Sequence, residues 1–159
     1  PATGYNLGLA LWNSSQRAKA ARAWGQALKR SPQSPKLLYA AALVATLPWD
    51  ELEQNPTVGL ERARTLAQLQ PDSPDASIIL AAALLAAGDS AATASELNRA
   101  IQLNADLVAI RLVQAMLMEH IGNRAEGEAI YRRVLPRITQ KNILREGLLN
   151  QTARVFEGN

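Results

Sequence analysis

Two glycine turns at a fixed interval constrain this chain more than any other feature. Gly88-Asp89 and Gly122-Asn123 lie 34 residues apart, each between two segments with helical periodicity. A proline junction repeats as well: Pro32-Gln33-Ser34-Pro35 returns as Pro71-Asp72-Ser73-Pro74, 39 residues on. Self-similarity at such a period in a helical sequence predicts stacked helical hairpins, each burying its apolar face against its neighbours. A solenoid of that kind presents an extended surface, which is the property of a binding scaffold.

The periodicity predicts helices over 4–14 and 17–30, 36–47 and 57–70, 75–87 and 90–103, and 107–121 and 124–135. A last amphipathic segment covers 138–156. On the second helix Ala20, Ala23, Trp24, Ala27 and Leu28 share one side, and Lys19, Arg22, Gln26, Lys29 and Arg30 the other. Pro32 closes the first hairpin because proline cannot continue a helix. Ser34-Pro35 and Ser73-Pro74 each open a helix, serine as the N-cap and proline in the first turn. The 39-residue interval exceeds 34 by five, and the connection from Pro48 to Pro56 holds the excess. Gly25, Gly59 and Gly147 fall inside helical patterns and predict close packing there. No segment reads as a strand. The expected organisation is four hairpins, approximately 1–34, 35–73, 74–107 and 108–137, with a capping helix in 138–159.

Composition narrows the chemistry. Apolar residues are 48% of the chain and aromatic residues only 4%, so alanine supplies much of the core and each bulky ring is informative. The absence of cysteine excludes disulfides, thiol catalysis and thiolate metal sites. The longest apolar stretch, Ile78 to Ala87, is half the roughly 20 residues needed to span a bilayer. The first residue is Pro1, and the expectation is a processed product or a piece of a longer chain. His120 is the only histidine, without a second ligand at helical spacing, and no glycine loop for phosphate appears. No metal, cofactor or enzymatic activity is therefore expected.

Net charge is +3, unevenly laid out. Residues 1–49 carry six basic groups and no acid, whereas residues 50–99 carry eight acids against three arginines. The stripe Lys19, Arg22, Lys29 and Arg30 could meet an anionic partner, but no aromatic side chain is interleaved with it, so a solvated convex face is the preferred reading and nucleic acid is disfavoured. Polarity of this kind also admits self-association.

The unit-by-unit pattern resembles the tetratricopeptide repeat family. In the first unit Tyr5-Asn6-Leu7-Gly8 and Leu11-Trp12 fit the first helix of the motif, and Ala20, Trp24, Ala27-Leu28 and Pro32 fit the second. The third unit keeps Leu80-Ala81, Leu84, Gly88-Asp89, Leu97 and Ala100-Ile101; the fourth keeps Gly122-Asn123, Tyr131 and Val134-Leu135. The second is the most divergent, with Tyr39, Ala41-Ala42, Leu69 and Pro71 around its insertion. The resemblance implies an all-α, right-handed solenoid of about four repeats plus a C-terminal cap.

It also implies a concave groove lined by the first helix of each unit. Groove-facing positions would be Tyr5, Asn6, Leu9, Trp12 and Asn13; Lys36, Tyr39, Ala40, Leu43 and Leu47; Asp75, Ile78, Ile79, Ala82 and Leu85; and Leu112, Val113, Met116, Glu119 and His120. Family members that bind chaperone C-termini use basic and asparagine side chains there. Tyr5, Leu9, Ala40, Asp75 and Ile79 occupy those places in this chain, which argues against such a clamp. An apolar or amphipathic segment of another protein is the expected ligand, anchored on tyrosine and tryptophan. The alternatives are that helix 138–156 folds back to fill the groove, or that copies of the chain associate through its apolar face. Trp49, in the inserted connection, is a further candidate contact, with tucking onto the solenoid edge as the preferred reading. The enlarged second unit and closing helix are also similar to periplasmic tetratricopeptide domains of cytochrome c maturation. A bacterial chain in periplasm or cytoplasm is the matching expectation.

Overall fold

The computed structural model describes residues 2–158; Pro1 and Asn159, the outer limits of the expected array and cap, lie outside it. Among the described residues nine α-helices follow one another: α1 (Ala2–Asn13), α2 (Arg17–Arg30), α3 (Pro35–Thr46), α4 (Pro56–Leu69), α5 (Pro74–Ala86), α6 (Ser90–Gln102), α7 (Leu107–His120), α8 (Arg124–Val134) and α9 (Ile143–Glu157). A 3-10 turn, Leu135–Arg137, follows α8. The first eight pair as hairpins, α1 with α2 through α7 with α8, and the second helix of each hairpin packs on the first helix of the next. The whole is an all-α stack of about four repeats closed by a C-terminal helix.

Local chemistry explains the boundaries. Ser73 Oγ accepts from the Ala76 amide at 3.2 Å, and Asp89 Oδ1 from the Ala92 amide at 3.0 Å, each satisfying an orphan donor of the first turn. Ser34 holds the N-cap position of α3 but makes no such side-chain bond; proline in the first turn is what marks that start. Gly88 and Gly122 end their helices at φ +84° and +93°, backbone that a side chain would strain. The last helix begins later than the periodicity suggests. The 3-10 turn intervenes, and Asn142 caps α9 by accepting from the Arg145 amide at 2.9 Å, which leaves Ile138 outside the helix.

Glycine sets the spacing of the first hairpin. Trp24 of α2 lies against Gly8 of α1, where any β-carbon would strike the indole, and its Nε1 donates to the Tyr5 carbonyl at 3.1 Å. Gly59 likewise admits Thr46, and Gly147 admits Leu47 and Trp49. Gly25 differs from the expectation, because nothing stands within 4 Å of the position its β-carbon would take.

The inserted connection is packed down rather than looped out. Trp49 is only 3% exposed, its Nε1 donating to the Leu43 carbonyl at 3.1 Å. Its ring meets that of Trp12 edge-on at 4.7 Å. The Asn55 amide returns to the Ala45 carbonyl at 2.8 Å and closes the connection onto α3.

Candidate functional site

The inner face is built by α1, α3, α5 and α7, and the feature that dominates it is α9. This helix packs chiefly on α7 and also touches α3. Glu146 pairs with Arg17 of α2 at 3.0 Å, Asn150 Nδ2 donates to the Pro48 carbonyl at 3.1 Å, and Gln54 Nε2 reaches Gln151 Oε1 at 3.4 Å. One helix that meets Arg17 of α2, Pro48 after α3, and α7 together spans the stack on the side of its first helices. The segment expected as a cap therefore also lies across part of the groove, on α7 and α3.

Three kinds of contact hold α9. Apolar side chains come first: Leu144, Leu148 and Phe156 are buried, and Phe156 stacks on Tyr131 of α8 with ring centroids 5.4 Å apart. Burial of that size contributes roughly 1.5–3 kcal/mol per side chain. Second is an ion pair: Arg145 Nε and Nη2 donate to Asp106 Oδ2 and Oδ1 at 2.6 and 2.8 Å. Arg145 holds the Asp106 carboxyl below its ordinary value, mainly through those hydrogen bonds. Asp106 also caps α7, so one carboxylate orients two helices. Third are the edge contacts to Arg17, Pro48 and Gln54. The Arg17–Glu146 pair is partly exposed, and such pairs contribute about 0.2–1 kcal/mol. At the far end Tyr131 donates its hydroxyl to Glu157, and burial followed by that bond pushes the phenol up to about 12.

The structure divides the expected groove residues into two sets. Leu43, Ile78, Ile79 and Leu112 are at most 1% exposed; with Trp12, Ala40, Leu47, Ala82, Val113 and Met116 they belong to the buried core. The physical reason is that α3, α5 and α7 are covered on nearly all sides. In α5 every residue from Ala76 to Leu84 is buried, which leaves no apolar stripe for solvent. Trp49 is likewise core and cannot serve as an exposed anchor.

The other set remains within reach. Asn6 and Asn13 are exposed, Leu9 is half-buried, and Tyr5 stacks on Trp24 with its ring 5.6 Å from the Lys36 ammonium. Tyr39 is half-buried beside Asp75, and burial, then the Asp75 charge, pushes its phenol well above the ordinary value. A cleft of about 310 Å3 persists between α9, the C-terminal ends of α3, α5 and α7, and the connection after α3. Leu85, Met116 and Val155 form its apolar floor, with Gln54, Gln151, Glu119 and His120 around the rim. On the opposite, convex side, Arg22, Lys29 and Arg30 of α2 are exposed. Among the described residues no group of three or more His, Asp or Glu side chains could hold a metal ion, and no helix is long and apolar enough to cross a membrane.

The periodicity did not single out Arg17, Asp106 or Arg145, whereas it marked Gly147 as a site of close packing. Arg17 lies with its guanidinium 5.2 Å from the Trp12 ring and 5.9 Å from that of Trp49, wedged between the two rings and α9. Gly147 carried the one legible signal, a glycine within a strong helical pattern.

No protein-family model matches the sequence, and no curated protein matches it. Among solved structures, the crystal structure of a thermophilic TPR (tetratricopeptide repeat) protein of Thermus thermophilus is similar over 96% of this chain and 81% of that one, with a TM-score of 0.64 and 22% identity. The fold is that of a tetratricopeptide repeat protein.

Proposed function

We propose that this chain is a protein-interaction scaffold without catalytic activity, which takes an apolar or amphipathic segment of a partner along its inner face. The supporting observation is that the inner face already accommodates an amphipathic helix, α9, through apolar packing flanked by polar pairs. The cleft floored by Leu85, Met116 and Val155 would receive apolar side chains of the partner, while Gln54 and Gln151 would bond its backbone. Tyr5, Lys36 and Tyr39 offer a second, separate contact toward the N-terminal end of α3. Self-association through the apolar inner face is a weaker reading, since most of its apolar residues lie in the core or under α9. The likeness to periplasmic domains of cytochrome c maturation suggests unfolded segments of cell-envelope proteins as the narrower partner class.

A capture experiment with three chains tests this: wild type, the cleft variant Leu85→Glu, and the convex variant Arg22→Glu with Lys29→Glu. Circular dichroism confirms the fold of each. A prey retained by wild type and the convex variant but lost with Leu85→Glu is the expected result. Loss only with the convex variant would replace this reading with an anionic partner on α2.

A further inference from the structure

We infer that α9 is a displaceable occupant of the groove, and that the partner is an amphipathic helix carrying the same signature: leucine, an acidic residue, glycine or another small residue, then leucine, in the order of Leu144, Glu146, Gly147 and Leu148. This rests on the scaffold reading and specifies its partner.

Three observations carry it. The inner surface selects a helix with a gap in its side chains. A β-carbon at position 147 would stand 2.6 Å from both Leu47 Cδ1 and Trp49 Cζ2, so an occupant must place a small residue there or ride higher. Next, that surface needs a cover. Leu47 and Trp49 are buried, and α9 supplies part of that burial, so its departure exposes apolar area to water. A helix of matching chemistry restores that loss, and a polar one does not.

Finally, α9 leaves a bond unmade. Arg17 donates Nη2 to Glu146 Oε1, while its Nε is buried with no partner. A buried donor without an acceptor is destabilising, because it has given up water and gained nothing in exchange. A guanidinium of this kind is built for a two-pronged carboxylate contact, as Arg145 makes with Asp106. A partner whose carboxylate reaches both Nε and Nη2 of Arg17 gains what α9 forgoes, and so can compete with a helix tethered in the same chain.

The test uses the full chain and a fluorescent peptide of sequence Ile143–Glu157. Three forms are compared: wild type; a loosened form with Arg145→Ala and Glu146→Ala; and a locked form with Pro48→Cys and Asn150→Cys, oxidised. The chain has no other cysteine, so the bridge is unambiguous. Circular dichroism and thiol counting establish that each form is folded and that the lock is closed. The loosened chain is expected to bind at least tenfold tighter than wild type. The locked chain should show no saturable binding until it is reduced, and a Gly147→Leu peptide should bind at least tenfold more weakly. Equal affinity for all three forms would overturn the inference, as would no binding to any of them. A protein partner that binds the locked chain as tightly as the reduced one would also overturn it, yet would leave the scaffold reading intact.

Discussion

At the residue scale, glycines that look alike in sequence act differently in the structure. Gly147 is fixed by the approach of Leu47 and Trp49, whereas Gly25 faces open space on α2. Gly147→Leu forces α9 away from its seat and is expected to cost about 1–3 kcal/mol in urea unfolding. Gly25→Ala relieves a flexible position in a helix interior and is expected to stabilise by roughly 0.5–1 kcal/mol. Local pattern names a glycine, but which side of the helix a neighbour approaches is a tertiary property. The same ambiguity separates Leu43, Ile78, Ile79 and Leu112 from the accessible Leu9, Leu85 and His120. In helices as uniformly apolar as α5, periodicity does not distinguish the groove side from the core side.

At the element scale, the helices of the hairpins were legible because their ends carry chemistry: Ser-Pro starts, Gly-Asp and Gly-Asn turns, and a closing Pro32. The placement of α9 was not. An amphipathic helix has the same pattern whether it covers the end of a stack or lies inside its curve, and the deciding contacts join residues 97 to 129 apart in sequence. The Arg145–Asp106 pair is the best measure of that placement. Arg145→Ala, Asp106→Asn and the double variant form a thermodynamic cycle, with Asn retaining the capping oxygen of α7. A coupling of about 1–2 kcal/mol is expected for this two-pronged pair. The pH dependence follows from the lowered Asp106 value. A carboxyl more acidic when folded contributes fully above its unfolded value, near pH 4, and loses that contribution as pH falls through the folded one. Coupling that persists unchanged under strong acid would contradict the pairing.

At the scale of the molecule, α9 changes how the solenoid should unfold. A stack of hairpins with only neighbour contacts can fray from either end. Here Arg17–Glu146 and Asn150–Pro48 fasten the last helix to the first two hairpins and favour a single cooperative transition. Removing Arg145 and Glu146 together is expected to lower the apparent urea m-value, with the first hairpin losing protection before the rest in hydrogen exchange. Charge layout belongs to this scale too. The basic first hairpin and the acidic middle were plain in sequence, yet neither located the groove, whose polar edges are made by isolated groups of α2, α7, α9 and the connection after α3.

The occupation of the inner face by α9 is the claim on which the rest depends, and proton NMR of the unmodified chain tests it directly. Gly147 lies against the six-membered ring of Trp49, near Cζ2 and Cη2. Cross-relaxation between the Gly147 α-protons and the indole Hζ2 and Hη2 is expected, with the glycine resonances displaced by the ring current. A Gly147 signal at the ordinary helical position, with no transfer from Trp49, would contradict the account and leave the groove open.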